Sequence, residues 1–199
     1  LGRLSGGWTT HWQGTLIDDE LEQVGAATPP PTIVQAMHAL APAMDVTHLQ
    51  GCELPPGSAR EQQARGCALT SSTEELRAAA ANADAVVLCL GEDPYTEKPG
   101  DLSELELDEG QRALAAALAT ARTPMALVLV SGRPRLLKGV EQLSAVQAVL
   151  QSFLPGPHGG TALAETLLGL HDPSGRLPLS WPVHSSSLLY PHWHPVTQQ

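Results

Sequence analysis

Basic residues are scarce in this chain of 199 residues, in which 11 lysines and arginines stand against 21 aspartates and glutamates. The formal net charge of −10 argues against nucleic-acid binding, because that function needs a basic face to neutralise phosphates. No apolar run approaches the length of a membrane-spanning helix. The amino end, which starts at Leu1 in an apparent loop, lacks the basic region and apolar core of a signal peptide. We therefore expect a truncated chain.

Cysteine is equally rare, and the three cysteines cannot all pair. Cys89 lies in an apolar run and is most simply a small, inert, buried hydrophobe. Cys52 and Cys67 flank a loop rich in Pro, Gly and Gln, and they could form a disulfide in an oxidising compartment, but their spacing leaves this open.

Motifs for metals and nucleotide cofactors are also missing. Nothing resembles a zinc framework, and His192 and His194, which have no third ligand, are typical of a surface. No glycine-rich phosphate-binding loop follows any predicted strand, which argues against a nucleotide-binding domain. We expect neither a metal nor an organic cofactor.

The hydrophobic pattern predicts an α/β fold. Apolar runs without polar alternation predict three fully buried strands, at 85–90, 125–130 and 145–150. Shorter strands are predicted at 45–49 and 179–181, and helices at 33–40, 73–82, about 108–121 and 161–168. Alternation of helices with buried strands is typical of a mostly parallel sheet. Residues 183–199, which contain prolines and several histidines, are expected to be an irregular tail.

The loop after the first buried strand carries an unusual density of acidic residues. Its four carboxylates are Glu92, Asp93, Glu97 and Asp101. Because α/β sheets bind ligands just beyond the carboxyl ends of their strands, we expect any chemistry to occur here.

Aromatic residues make up only 4% of the chain, yet four of the seven are tryptophans. Trp8 and Trp12 lie four residues apart in a loop bounded by glycines. Two interpretations remain open at this point: the rings cover the edge of a core, or they form a stacking platform for the apolar face of a ligand.

Five motifs in series resemble one family, the plant-type family 3 glycoside hydrolases, which are β-glucosidases and exo-β-glucanases. Residues 6–14 (GGWTTHWQG) resemble that family's tryptophan loop, and residues 91–101 (GEDPYTEKPGD) closely match its acid/base loop. Residues 131–134 (SGRP), 154–160 (LPGPHGG) and 172–178 (DPSGRLP) resemble later landmarks of the same domain. The matches occur in the right order from residue 6 to about residue 182.

The resemblance implies a two-domain enzyme, in which an amino-terminal (β/α) barrel and a three-layer α/β/α sandwich share an active site. Residues 1–182 would be a partial sandwich domain whose first strand is missing, and the barrel that carries the nucleophilic Asp would lie outside this chain. The implied ligand is a β-glucoside or a β-glucan oligosaccharide. The family also favours an extracellular or periplasmic location.

The resemblance also assigns roles to individual residues. Glu97 would be the acid/base, although the adjacent Lys98 must then turn its charge away. Trp12, and with it Trp8, would line the aglycone or next-sugar subsite. Asp101 would either hydrogen-bond sugar hydroxyls or hold the shape of the loop.

Other positions are expected to support the loop or to depart from the family. Glu92 and Asp93, directly after the strand, are expected to brace the loop rather than to face the substrate. His158 stands where the family usually has Glu. The alternative to an enzyme part is a degenerate, non-enzymatic domain that binds carbohydrate weakly.

Overall fold

The computed structural model describes residues 2–9, 11–14, 30–182 and 184. Its helices are α1 (Gly2–Ser5), α2 (Ile33–Leu40), α3 (Ala59–Arg65), α4 (Thr73–Ala81), α5 (Glu109–Ala119) and α6 (Gly159–Leu167). Its strands are β1 (Cys52–Glu53), β2 (Ala68–Leu69), β3 (Val86–Gly91), β4 (Met125–Val130) and β5 (Val146–Gln151). Within these ranges, no helix combines the length and the hydropathy needed to cross a bilayer. The predictions for 185–199, which include His192 and His194, lie outside the described residues.

Side-chain caps explain where several helices begin. The hydroxyl of Ser72 accepts a hydrogen bond from the backbone N–H of Glu75, and the Glu75 carboxylate accepts one from the Ser72 N–H. The same reciprocal capping box opens α2 at Thr32 and α3 at Ser58. Asp108 caps α5. These interactions satisfy backbone donors that a helix start leaves without an internal partner.

The main sheet is parallel, with the order β3-β4-β5. Because its strands run in the same direction, their carboxyl ends meet at one edge, which we call the carboxyl edge. A separate two-stranded antiparallel ribbon pairs β1 with β2. Cys52 in β1 and Cys67 just before β2 form a disulfide, which resolves the question that their spacing leaves open.

Helices cover both faces of the main sheet, which confirms the predicted α/β/α layering. On one face, leucines of β3 and β4 pack with side chains of α4 and α5. The buried members of this cluster include Leu76, Leu88, Leu90, Leu114, Leu118, Leu127 and Leu129. On the other face, Val128 and Val130 pack against Leu163 of α6 and Leu4 of α1.

The prediction that all three strands are fully buried is wrong for the two outer strands. Only central β4 is largely buried on both faces, while Val87 in β3 is 38% exposed and Val149 in β5 is 46% exposed. In β3 the buried Leu88 and Leu90 alternate with the exposed Val87 and Cys89. No residue of β5 is fully buried.

Cys89 lies on the open face of β3 and is exposed, contrary to the expectation of a buried residue. Desolvation by the surrounding protein nevertheless raises the pKa of its thiol to about 11. The thiol therefore stays protonated at neutral pH and is a poor nucleophile, as expected of an inert cysteine.

Two further predicted strands are absent from the described chain. Residues 45–49 and 179–181 run without ladder pairing, because no neighbouring strand offers them hydrogen bonds. Trp181 instead packs against the main core and donates its indole N–H to the carbonyl of Arg135 at 3.1 Å. Helix α6 begins at Gly159, two residues before the predicted Thr161.

The disulfide should contribute measurably to stability. It closes a loop with a sequence separation of 15 residues, for which the chain-entropy model gives about 3 kcal/mol. We expect a Cys52→Ser, Cys67→Ser double variant to lose about this much unfolding free energy in urea titrations. Cys89→Ser, at the unpaired and exposed cysteine, is the control and should change stability little. Equal stability of the double variant and the parent chain would contradict the prediction.

Candidate functional site

The carboxyl edge brings together the acidic loop and the segment that follows β4. Residues 92–101, which we call the acidic loop, leave β3 at Glu92, whose N–H donates to the carbonyl of Val130 at 3.1 Å. Beyond β4 the chain passes through Ser131 to Arg135. The two neighbouring strand ends therefore place arginines beside carboxylates.

Glu92 is buried between two of these arginines. Nη1 of Arg135 lies 2.8 Å from Oε2 of Glu92, and Nε of Arg133 lies 3.0 Å from the same oxygen. The side chain of Glu92 is only 6% exposed. A buried carboxylate is costly unless it is paired, and these two guanidinium groups compensate for the lost hydration.

Arg135 extends this network into the adjacent chain. It is buried, and its remaining N–H groups donate to the carbonyls of Leu105 and Glu106 and to the side chain of Gln63. Burial lowers the pKa of Arg135, and the charge of Glu92 opposes that effect. Arg135 thus ties the start of the acidic loop to the segment before α5.

Asp93 is held from two other elements. Its carboxylate accepts from Nε of Arg3 in α1 at 2.6 Å and from Nε2 of Gln62 in α3 at 2.8 Å. Together with the pairing of Glu92, these contacts confirm that the first two carboxylates brace the loop.

Gln111 of α5 supports the point where the strand becomes the loop. Its amide accepts from the N–H of Gly91 at 2.8 Å and donates to the carbonyl of Gly91 at 2.8 Å. Sequence reasoning missed this residue, since nothing local connects two positions 20 residues apart. It also assigned no role to Arg133, although Arg133 stands inside the quoted motif at 131–134.

The tryptophan loop, residues 6–14 apart from the undescribed residue 10, is closed by its own backbone. The N–H of Trp8 donates to the carbonyl of Trp12 at 3.0 Å, and the N–H of Gly14 donates to the carbonyl of His11 at 2.9 Å. The two indole rings meet edge to face, with centroids 6.3 Å apart. Trp8 is 69% exposed and Trp12 is 51% exposed, so the rings do not serve mainly to cover a core. Their exposure favours the stacking platform.

The tryptophan loop and the acidic loop are joined directly at Thr96. The Thr96 hydroxyl donates to the carbonyl of Trp12 at 3.0 Å, and the Thr96 N–H donates to the side-chain oxygen of Gln13 at 3.0 Å. Gly7 also lies against this position, because a Cβ there would stand 2.2 Å from Cγ2 of Thr96. The structure therefore places the residue before Glu97 in contact with the segment that carries both indoles.

Glu97 itself is exposed, with φ of 49° and ψ of −140°. Positive φ is unfavourable for a residue with a Cβ, at about 1–3 kcal/mol for such sparsely populated conformations. Its carbonyl accepts from the N–H of Gly100 at 2.9 Å, which closes a short 3₁₀ turn over Lys98–Gly100. Lys98 is also exposed. The carboxylate of Glu97 thus projects from a strained but well-anchored segment.

Asp101 and His158 are less informative. Asp101 is exposed directly after the 3₁₀ turn, and its N–H donates to the carbonyl of Lys98 at 2.9 Å. Both roles suggested for its side chain stay open. His158 precedes α6, is exposed, and forms no side-chain cap with that helix.

These features define the class to which the chain belongs: an α/β/α domain that presents a carboxylate and two exposed indoles at the carboxyl edge of a parallel sheet. The chain belongs to glycosyl hydrolase family 3, since the model of that family's C-terminal domain matches residues 1–199.

Individual relatives agree with this assignment. The lysosomal beta glucosidase of Dictyostelium discoideum is 32% identical over 195 residues, which are 98% of this chain and 22% of that protein. The periplasmic beta-glucosidase of Salmonella typhimurium is 36% identical over 110 residues, or 55% of this chain and 14% of that protein. The crystal structure of a beta-glucosidase from Listeria innocua in complex with isofagomine matches with a TM-score of 0.62 and 26% identity, over 80% of this chain and 20% of that one. This chain thus spans about a fifth or less of each relative.

Breaking the buried pair at Glu92 should destabilise the domain. Glu92→Gln removes the charge and leaves two arginines facing a neutral group, a change that costs about 3 kcal/mol or more when one partner of a buried ion pair is lost. Chemical denaturation monitored by circular dichroism measures the loss of unfolding free energy. Glu141→Gln, the same substitution at an exposed site, should change stability by no more than about 0.5 kcal/mol. Similar midpoints for the two variants would contradict the structural role of Glu92.

Proposed function

We propose that this chain is part of a retaining β-glucosidase-like hydrolase that cleaves O-glycosyl bonds of β-glucosides or β-glucans. Glu97 supplies the acid/base group, and Trp12 and Trp8 form walls of a sugar subsite. Asp101 stands at the rim of that subsite. The nucleophilic Asp comes from a (β/α) barrel domain outside this chain.

The observation that carries the proposal is the position of Glu97. Its carboxylate is exposed, its backbone is held in an unfavourable conformation, and the preceding Thr96 is hydrogen-bonded to the loop that carries both indoles. Backbone strain that survives folding is concentrated at functional sites. Family membership and the match of residues 91–101 to the acid/base loop support the same assignment.

The proposed chemistry requires two carboxyl groups roughly 5–5.5 Å apart. In the first step, Glu97 donates its proton to the glycosidic oxygen while the bond to the anomeric carbon breaks and the nucleophile bonds to that carbon. In the second step, Glu97 takes a proton from water, whose oxygen displaces the nucleophile and releases the sugar. Glu97 ends protonated and ready for the next cycle.

The two carboxylates that brace the acidic loop, Glu92 and Asp93, are poorly placed to act as the nucleophile. Glu92 is buried between Arg133 and Arg135, and Asp93 is held by Arg3 and Gln62. Neither can reach a sugar without breaking these contacts. A nucleophile contributed by a second domain is therefore consistent with the structure, and we expect the chain by itself to show no turnover.

Two classes of substrate, β-glucosides and β-xylosides, are candidates for the assembled enzyme. Relatives of this chain include proteins named beta-glucosidase and others named beta-D-xylosidase, such as beta-D-xylosidase 3 of Arabidopsis thaliana. We propose β-glucosides as the substrate, because a relative that aligns over 98% of this chain, the lysosomal beta glucosidase of Dictyostelium discoideum, carries that name. Parallel assays on aryl β-glucosides and aryl β-xylosides compare the two.

A non-enzymatic carbohydrate-binding role is the second candidate. The exposed indoles favour it, because stacking on a sugar face needs no nucleophile. Under this alternative the chain alone binds β-glucan oligosaccharides, with a change in tryptophan fluorescence that Trp12→Ala abolishes, and a supplied barrel produces no hydrolysis.

Activity should depend on Glu97 in a way that reports its acid role. The test enzyme is a chimera in which this chain replaces the matching segment of the Dictyostelium lysosomal beta glucosidase. Alternatively, the barrel domain of that protein is added in trans to this chain. For aryl β-glucosides with poor leaving groups, Glu97→Gln should lower kcat/KM by about 10²–10⁴-fold, because those substrates need a proton in the transition state. Activated substrates such as dinitrophenyl glucosides should lose much less.

The control is Glu141→Gln in the same chimera, which should match the parent on every substrate. Azide, which needs no general base, should accelerate breakdown of the glycosyl-enzyme in Glu97→Ala and yield a glycosyl azide. Equal losses across all leaving groups in Glu97→Gln would count against the acid role. Robust hydrolysis by the chain alone would contradict the two-domain assignment.

A further inference from the structure

We infer that Tyr95 is a positioning residue for Glu97: its ring, clamped between the guanidinium group of Arg133 and the backbone of Gly100, fixes the direction in which the carboxylate projects. The inference rests on the proposed acid/base role of Glu97 and adds to it the residues that orient that side chain.

Two close contacts hold the Tyr95 ring. The guanidinium carbon of Arg133 lies 4.1 Å from the ring centroid, within the range of a cation–π contact. Gly100 also approaches the ring so closely that a Cβ would stand 2.1 Å from Cδ2 of the ring. Only a glycine fits against the ring in this arrangement.

Arg133 is itself anchored to the sheet. Its Nε contacts the buried carboxylate of Glu92, which also binds Arg135. A line of contacts thus runs from the rigid carboxyl edge through Arg133 to the Tyr95 ring and ends at Gly100. Because these partners are mostly buried, the ring has a fixed support rather than a solvent-exposed one.

Glu97 lies between two points that are both held. On its amino-terminal side, Thr96 is hydrogen-bonded to Trp12 and Gln13 of the tryptophan loop. On its carboxyl-terminal side, Gly100 is packed against Tyr95 and donates its N–H to the Glu97 carbonyl. These restraints maintain the positive φ of Glu97, which the free residue would leave. Loss of the ring would release the carboxyl-terminal restraint and let the carboxylate turn.

Tyr95 can affect the orientation of Glu97 without contributing to the hydrophobic core that stabilises the fold. It belongs to neither of the two hydrophobic clusters that form the core of the described residues. Burial raises the pKa of its hydroxyl, and the charge of Glu92 adds to that effect, so the phenol stays neutral at neutral pH. The hydroxyl also forms a side-chain hydrogen bond with Arg133. Phenylalanine lacks that bond but keeps the ring that Arg133 and Gly100 contact.

Hydrogen exchange on the whole chain tests the clamp independently of catalysis. In Tyr95→Leu, we expect protection of the Gly100 and Thr96 amides to fall about tenfold, as restraints on local opening are lost. Gly100→Ala, which pushes the ring out of place, should have the same effect. Tyr95→Phe should retain protection. The amide of Met125, which bonds the carbonyl of Ala145 at the far end of the sheet, is the control and should not change.

Kinetics of the chimera test whether the clamp serves Glu97. Tyr95→Leu should lower kcat by about 10²-fold on poor leaving groups, since small displacements of a catalytic group cost that much, while KM changes little. Activated leaving groups should be affected less, and Tyr95→Phe should restore most of the rate. Arg133→Lys, which keeps a charge beside Glu92 but not the planar stack, should fall between Tyr95→Leu and the parent.

The hydrogen-exchange and kinetic experiments together distinguish failure of this inference from failure of the proposed function. If Glu97→Gln shows no dependence on the leaving group, the proposed function fails, and the exchange data still decide whether the clamp exists. If Glu97→Gln behaves as an acid variant but Tyr95→Leu keeps full kcat on poor leaving groups, the positioning role is overturned and the function stands. Unchanged protection of the amide at position 100 in both Tyr95→Leu and Gly100→Ala would overturn the clamp.

Discussion

A carboxylate buried between two arginines connects the strand ends on which the candidate site is built. Glu92 begins the acidic loop at the end of β3, and Arg133 and Arg135 follow the end of β4, so their pairing links two neighbouring strand exits. Such a pair is not in itself a large source of stability, because desolvation offsets much of the attraction. Its effect is to specify geometry: once the charges are buried, each must keep its partner. The acidic loop, the segment before α5 and Trp181 are all tied to these residues or their backbone.

This arrangement divides the acidic loop into a structural part and an exposed part. Glu92 and Asp93 form ion pairs with arginines, whereas Glu97 and Asp101 are exposed to solvent. In the proposed enzyme the exposed part of the loop can contact a sugar and a second domain. The structural part of the loop restrains the position of the exposed part. Rigid scaffolds that carry functional loops are a general solution, because a catalytic group gains from orientation that is set before the substrate binds. Thr96 anchors the acidic loop to the tryptophan loop, so the groups proposed for substrate stacking and for proton transfer lie in one small region.

The α/β fold class and the parallel strands could be predicted from hydrophobic runs and helix caps, since these are local consequences of residue type, whereas the three-layer α/β/α arrangement was implied by the family resemblance. Ser72, for instance, identifies a helix start by its own chemistry and that of Glu75. The burial of each strand could not be predicted in the same way. An uninterrupted apolar run fits both central β4 and outer β3, and only the position of the second helical layer leaves Val87 and Cys89 exposed. The segment at 45–49 is a related case: its residues suit a strand, but a strand also needs a neighbour that accepts its hydrogen bonds.

The sequence by itself determined the family, the order of the three main strands and their helices, and the identity of the carboxylate proposed for catalysis, because these depend on motifs that are continuous in the chain. Tertiary structure alone decided which charges are paired, that Cys52 meets Cys67, that Gln111 supports Gly91, and that Tyr95 stacks on Arg133. The physical reason is the same in each case. These contacts join residues between 15 and 90 positions apart, and their energies depend on distances and burial that no local pattern encodes.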